Sequence, residues 1–79
     1  MKKKKSDQNV FLKKVGVRIR KIRKEKGFSQ ESLALASGLD RSYIGGVERG
    51  ERNISIINLS IIANVMNVTT SELLQNLRI

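Results

Sequence analysis

The chain is expected to be all-α, a compact domain of five short helices. Three observations carry this. Apolar residues recur at steps of three and four, the period of a helix face. Small polar residues and glycines fall where such helices would begin and end. There is no proline, and the segments between helices are about two to six residues long, as in other compact helical domains.

The first helix is expected over residues 10–26. Leu12, Val15, Ile19 and Ile22 form one apolar stripe, and Lys13, Lys14, Arg18, Arg20, Lys21 and Lys24 fill the other faces. Asn9 suits the N-cap and Gly27 the left-handed C-terminal turn. The second helix, 30–37, starts after Ser29 and turns Leu33 and either Ala34 or Ala36 inward. Ser32 stands where a reciprocal capping box would place Glu or Gln, so that box is expected to be incomplete. Gly38 ends this helix and Leu39 packs beneath the turn. The third helix starts after Asp40, a good N-cap, turns Ile44 and Val47 inward and runs to about Arg49 before Gly50. The fourth runs from after Ser55 to about Met66. The strand alternative for its β-branched stretch fails because the apolar residues of 54–63 do not alternate strictly. The fifth begins after Thr69, where Thr69-x-x-Glu72 is a capping box ahead of Leu73, Leu74 and Leu77. Residues 9–79 thus read as one domain, preceded by a basic, flexible arm over 1–8.

Composition removes most chemistry. With 79 residues, such a domain buries roughly 60% of the surface its unfolded chain exposes. There is no Cys and no His, so disulfides, common zinc sites and Cys–His or Ser–His–Asp catalysis are excluded. The seven acidic residues are scattered and no Gly-rich phosphate loop is present, so neither an enzyme nor a cofactor, metal or small-molecule ligand is expected. The lysines at 2–5 are not followed by the continuous apolar run of a signal peptide, and no stretch is long enough to span a membrane, so a cytoplasmic location is expected. The basic first helix fits an anionic lipid surface by composition, but its apolar stripe is needed for the core and it has no Trp.

The net charge of +9 is unevenly placed. Residues 1–26 hold twelve Lys or Arg against two acids, and residues 27–79 hold four Arg against five acids. A basic segment set against a nearly neutral body, with two short helices joined at Gly38, is the layout of a protein that puts one helix into the major groove of duplex DNA.

At these residues the chain resembles the Xre/Cro family, the five-helix domains of phage Cro and lambda-type repressors. Ile19, Arg23, Gly27, Ser29-Gln30-Glu31, Leu33-Ala34, Gly38-Leu39, Ile44, Glu48, Gly50 and Leu59 carry the likeness, which covers residues 15–74. The stretch LDRSYIGGVERGERNIS, 39–55, is similar to controller proteins of bacterial restriction–modification systems. The resemblance implies a lambda-repressor-like fold and a sequence-specific DNA-binding transcriptional regulator. It also implies a homodimer on a near-palindromic operator, controlling its own gene and that of the endonuclease. The competing function is an antitoxin, or another phage or plasmid repressor of the family, that also holds a protein partner.

The resemblance assigns residues as follows. Arg41, at the start of the third helix, contacts a base edge, and Ser42 beside it reaches a base edge or a phosphate. An arginine bonds O6 and N7 of guanine together, a discrimination of roughly 1–3 kcal/mol. Gln30, Arg49, Arg52 and Asn53 contact the DNA backbone, although Asn53 has the alternative of serving its own loop. Tyr43 either reaches the DNA backbone or packs on the second helix. Gly45 and Gly46 each cost a helix interior roughly 0.8–1 kcal/mol relative to Ala. They admit either close helix packing or a deep seat in the groove, with Gly46 touching the bases and DNA shape adding to the readout. Arg23 and Glu48 form a salt bridge between the first and third helices. Independently of the resemblance, the fourth and fifth helices carry more apolar side chains than one small core can absorb, so Val65, Val68, Leu73, Leu74 and Leu77 are the expected dimer interface. The lysines at 2–5 form either a solubilising tail or an arm on the duplex.

Overall fold

The computed structural model describes residues 4–79, and five helices account for most of them: α1 Lys5–Glu25, α2 Gln30–Ser37, α3 Arg41–Glu48, α4 Ile56–Val65 and α5 Thr70–Leu74. α1 packs against α3 and α5, α2 against α3 and α4, and α4 against α5. The core between them is Val15, Ile19, Leu33, Ala34, Ile44, Val47, Leu59, Ile62, Ala63, Met66 and Leu73, ringed by Phe11, Ile22, Phe28, Leu39, Tyr43 and Ile54. Between Ala34 and Ala36, it is Ala34 that turns inward.

α1 begins five residues before the expected start. Asn9 is therefore inside the helix rather than its cap, and residues 5–8 form its opening turn rather than part of a flexible arm. Lys4 is the N-cap, and Asp7, in the first turn, places its charge at the positive end of the helix dipole. Residues 4–10 are all exposed. A solvated turn has no apolar face to produce a periodic signal, which is why the sequence pattern starts only at the buried turns. Residues 1–3 lie outside the described residues, so the part of the arm reading that rests on them does too.

The other helices open and close on their punctuation. The Ser29 box is complete: the Ser32 N–H donates to Ser29 Oγ at 2.9 Å and the Ser29 N–H donates to Ser32 Oγ at 2.9 Å. A serine hydroxyl closes it because it needs to reach only one turn back. Asp40 holds the N-cap position of α3 in extended conformation, but its side chain makes no cap hydrogen bond. Ser55 Oγ accepts from the Asn58 N–H at 3.0 Å, and Thr69 Oγ1 accepts from the Glu72 N–H at 3.1 Å.

Two glycines set the distance between α1 and the α3 region. A Cβ on Gly16 would lie 2.5 Å from the Val47 carbonyl oxygen and closer still to that of Glu48, so α1 touches the C-terminal end of α3 backbone to backbone. Gly50, at φ 75°, follows α3, and a Cβ there would meet the Lys13 backbone at 2.8 Å. Two residues after Gly16, Arg18 donates from Nη1 and Nη2 to the carbonyls of Glu72 and Gln75, both at 2.9 Å. Arg18 is thus not merely part of a solvated face. It satisfies carbonyls at the end of α5, which a five-residue helix cannot satisfy internally.

Adjacent leucines in α5 take opposite roles. Leu73 is fully buried within the chain, which removes it from the expected dimer interface, while Leu74 is exposed. Docking of α5 on both α1 and α4 turns Leu73 into the core. Val65, Val68 and Leu77 are half-buried and pack against the same core.

Candidate nucleic-acid interface

α2 and α3 are joined by three residues. Gly38 ends α2 in the left-handed conformation and its N–H donates back to the Ala34 carbonyl at 2.9 Å. Ile44 and Val47 bury one side of α3. Arg41 and Ser42 stand exposed on its first turn, so the expected base-reading end is free of intramolecular cover.

The tilt of α3 is fixed by a buried cluster. Arg23 Nε donates to Glu48 Oε2 at 2.6 Å and Nη2 to Oε1 at 3.0 Å, a bidentate pair with side chains only 7% and 2% exposed. The third guanidinium nitrogen, Nη1, donates to the Phe28 carbonyl at 2.8 Å. Gln30 Nε2 also donates to Glu48 Oε1, at 3.0 Å. One carboxylate therefore ties α1, the start of α2 and the end of α3 together. Gln30, expected on a DNA phosphate, has one amide N–H committed inside the protein. An amide has two such hydrogens, so the other remains for a ligand at the N-terminus of α2.

The glycine pair of α3 has a different explanation from the one expected. Gly45 and Gly46 are both buried, not bare helix surface. A Cβ on Gly45 would lie 3.1 Å from Arg49 Nη1 and 3.5 Å from Gln30 Oε1, and one on Gly46 would lie 2.7 Å from Arg52 Cγ. What approaches Gly45 is Arg49 and, from the start of α2, Gln30; what approaches Gly46 is Arg52 alone. In this structure Gly46, expected at the bases, is covered by the stem of Arg52, which crosses α3 there.

That crossing brings Arg52 to Tyr43. The guanidinium carbon is 5.3 Å from the ring centroid, within the range of a cation–π contact. Tyr43 is half-buried against the core, and its hydroxyl accepts from Asn58 Nδ2 at 3.1 Å. Arg49 Nε lies 3.1 Å from Glu51 Oε1, with both side chains about 60% exposed. Asn53 is exposed and borders a groove lined by Gln8, Asn9, Phe11, Leu12 and Ile79, at the start of α1. The expected DNA-facing residues Arg41, Ser42, Arg49, Arg52 and Asn53 are all solvent-exposed. Gln30 and Tyr43 are only partly so. Sequence reasoning missed Gly16 and Asn58. A Gly in a basic helix and an Asn in an apolar one were the available signals, but each needs its distant partner to be interpreted.

The helix-turn-helix family model matches residues 19–73. The chain belongs to the helix-turn-helix family. Residues of this helix-turn-helix chain are 53% identical to the restriction-modification controller protein C.AhdI from Aeromonas hydrophila, whose crystal structure aligns with a TM-score of 0.77 over 78% of this chain and 94% of that one. Control protein C.MunI from Mycoplasma sp is 43% identical over 78% of this chain and 85% of its own. Control protein C.SmaI from Serratia marcescens is 46% identical over 71% of this chain and 67% of its own. The helix-turn-helix chain is thus a DNA-binding regulator, and its family and relatives are regulators rather than enzymes. Among the described residues, no helix is long and apolar enough to cross a membrane, and no three His, Cys, Asp or Glu side chains gather to hold a metal.

Proposed function

We propose that this chain is a controller of a restriction–modification system, working in the cytoplasm as a homodimer on a near-palindromic duplex operator near its own gene. The observation that carries this reading is the exposed first turn of α3, with Arg41 and Ser42, on a helix whose other end is held by the buried Arg23–Glu48–Gln30 cluster. A reading helix needs both parts, free side chains at its tip and a fixed approach. The similarity to C.AhdI, C.MunI and C.SmaI supports the controller role over other regulators. Arg41 and Ser42 read bases. Arg49, Arg52, Asn53 and the second amide hydrogen of Gln30 meet phosphates, and these contacts orient the domain without carrying sequence information. Leu74, with the rims of Val65, Val68 and Leu77, forms the dimer contact, spacing two reading helices by about one DNA turn, roughly 34 Å.

Selection of bound duplexes from a random pool tests this. Enrichment of a two-fold symmetric motif, with sedimentation as a dimer at micromolar concentration, is the expected result. Absence of any enriched sequence would overturn the operator reading, and monomeric sedimentation would overturn the dimer.

A further inference from the structure

The interface described above contains one long arginine whose position is built by residues far apart in sequence. Arg52 lies in the loop after α3, with an exposed side chain. Its stem crosses Gly46 and its guanidinium stacks on Tyr43. Outside α3, the Tyr43 ring packs against the core, and its hydroxyl accepts from the amide of Asn58 on the opening turn of α4 at 3.1 Å in a partly buried setting. The backbone of Asn58 is held as well, its N–H donating to Ser55 Oγ at 3.0 Å. Free arginine side chains lose substantial rotamer entropy when they bind, and a stacked, pre-oriented one loses less.

We infer that Asn58 is a positioning residue for DNA binding: by fixing the ring of Tyr43 it holds the Arg52 guanidinium ready for a phosphate. Asn58 touches no DNA in this arrangement and acts only through Arg52. Gly46 belongs to the same device, because any side chain there would displace the Arg52 stem. The inference rests on the DNA-binding reading and adds a residue to it from α4, outside the helix pair.

Two signatures separate positioning from contact and from mere stability. Removing Arg52 deletes a phosphate contact, so Arg52→Ala should lower the salt slope of operator binding by about 0.9. Asn58→Ala leaves that contact in place but less prepared. It should weaken binding by about three- to tenfold, the size of one net hydrogen bond, with the salt slope unchanged. In the Arg52→Ala background, Asn58→Ala should have no further effect. Tyr43 is the chain's only tyrosine and there is no tryptophan, so its emission and ring resonances report the Asn58 contact directly. They should change in Asn58→Ala while the helical circular dichroism at 25 °C stays near wild type and the melting midpoint falls by no more than about 4–8 °C, the cost of one such bond. Tyr43→Phe, which removes the acceptor and keeps the ring, is the second variant, and Asn58→Ala should add nothing to it.

Additive losses in the Arg52→Ala background would overturn the proposal, as would unchanged affinity or unchanged tyrosine signals in Asn58→Ala. If Asn58→Ala lost helicity in proportion to its loss of binding, the role would be structural and the proposal would also fall. Wild-type protein that selects no duplex would instead remove the reading on which the inference rests, and that result is visible before any variant is made.

Discussion

Two Arg–Glu pairs meet near the end of α3 with the same chemistry and opposite settings. Arg23 and Glu48 are buried, bidentate and joined by Gln30 and the Phe28 carbonyl. Arg49 and Glu51 face each other at 3.1 Å with both side chains about 60% exposed. Burial decides what each can do. Taking one member from a buried pair leaves an uncompensated charge in the interior, so the first pair cannot be released without loosening three helices at once. An exposed pair is worth at most about 1 kcal/mol, so Arg49 can exchange Glu51 for a phosphate at little cost. The inner pair holds the reading helix in place, and the outer one keeps a cation available beside it.

The largest effect should come from breaking the inner pair. Glu48→Ala should destabilise the domain by about 3–5 kcal/mol, read as a lowered melting temperature, and should weaken all duplex sequences alike. A loss confined to one base position would show that Glu48 faces the DNA after all. Next is Arg41→Ala, which should leave the melting temperature near wild type and relax preference at one base pair by about 1–3 kcal/mol in a competition against altered operators. Uniform weakening across sequences would move Arg41 from the bases to the backbone. Gly46→Ala sets two opposed terms against each other: a gain of about 0.8–1 kcal/mol in helix propensity and displacement of the Arg52 stem, whose Cγ would sit 2.7 Å from the new Cβ. The expected outcome is equal or higher stability with weaker operator binding. Unchanged binding would mean that the seat of Arg52 does not matter. The smallest effect belongs to the outer pair. Glu51→Gln should leave stability within about 0.5 kcal/mol and tighten non-specific binding slightly at low salt. A clear fall in the melting temperature would show that exposure had not made this pair dispensable.

The sequence made some of this legible and hid the rest for identifiable reasons. The starts of α2, α4 and α5 follow from Ser29, Ser55 and Thr69, because a cap is a local interaction over three residues. The Arg23–Glu48 pair was legible only through family resemblance, since its partners are 25 residues apart. The start of α1 was hidden because its first turns bury nothing. Leu73 and Leu74 were indistinguishable until the docking of α5 separated them. Gly45 and Gly46 signalled a close approach correctly, but whether helix, DNA or arginine did the approaching depended on where Arg49 and Arg52 turn back. For Asn58 the local signal, an Asn in an apolar helix, was ambiguous. Its partner lies on another helix, and an Asn in the first turn of α4 satisfies ordinary helix-start preferences without it.

Gly16 and Arg18 lie within a single turn of α1, one pressed against the carbonyls of α3 and the other clasping the last carbonyls of α5. That turn works as the fixed jaw of a caliper. In a dimer joined through α5, the gap between the two reading helices would be set through this turn, by a backbone contact on one side and two hydrogen bonds on the other. A pair of copies built this way should tolerate a change of base in the operator more readily than the insertion of a single base pair at its centre.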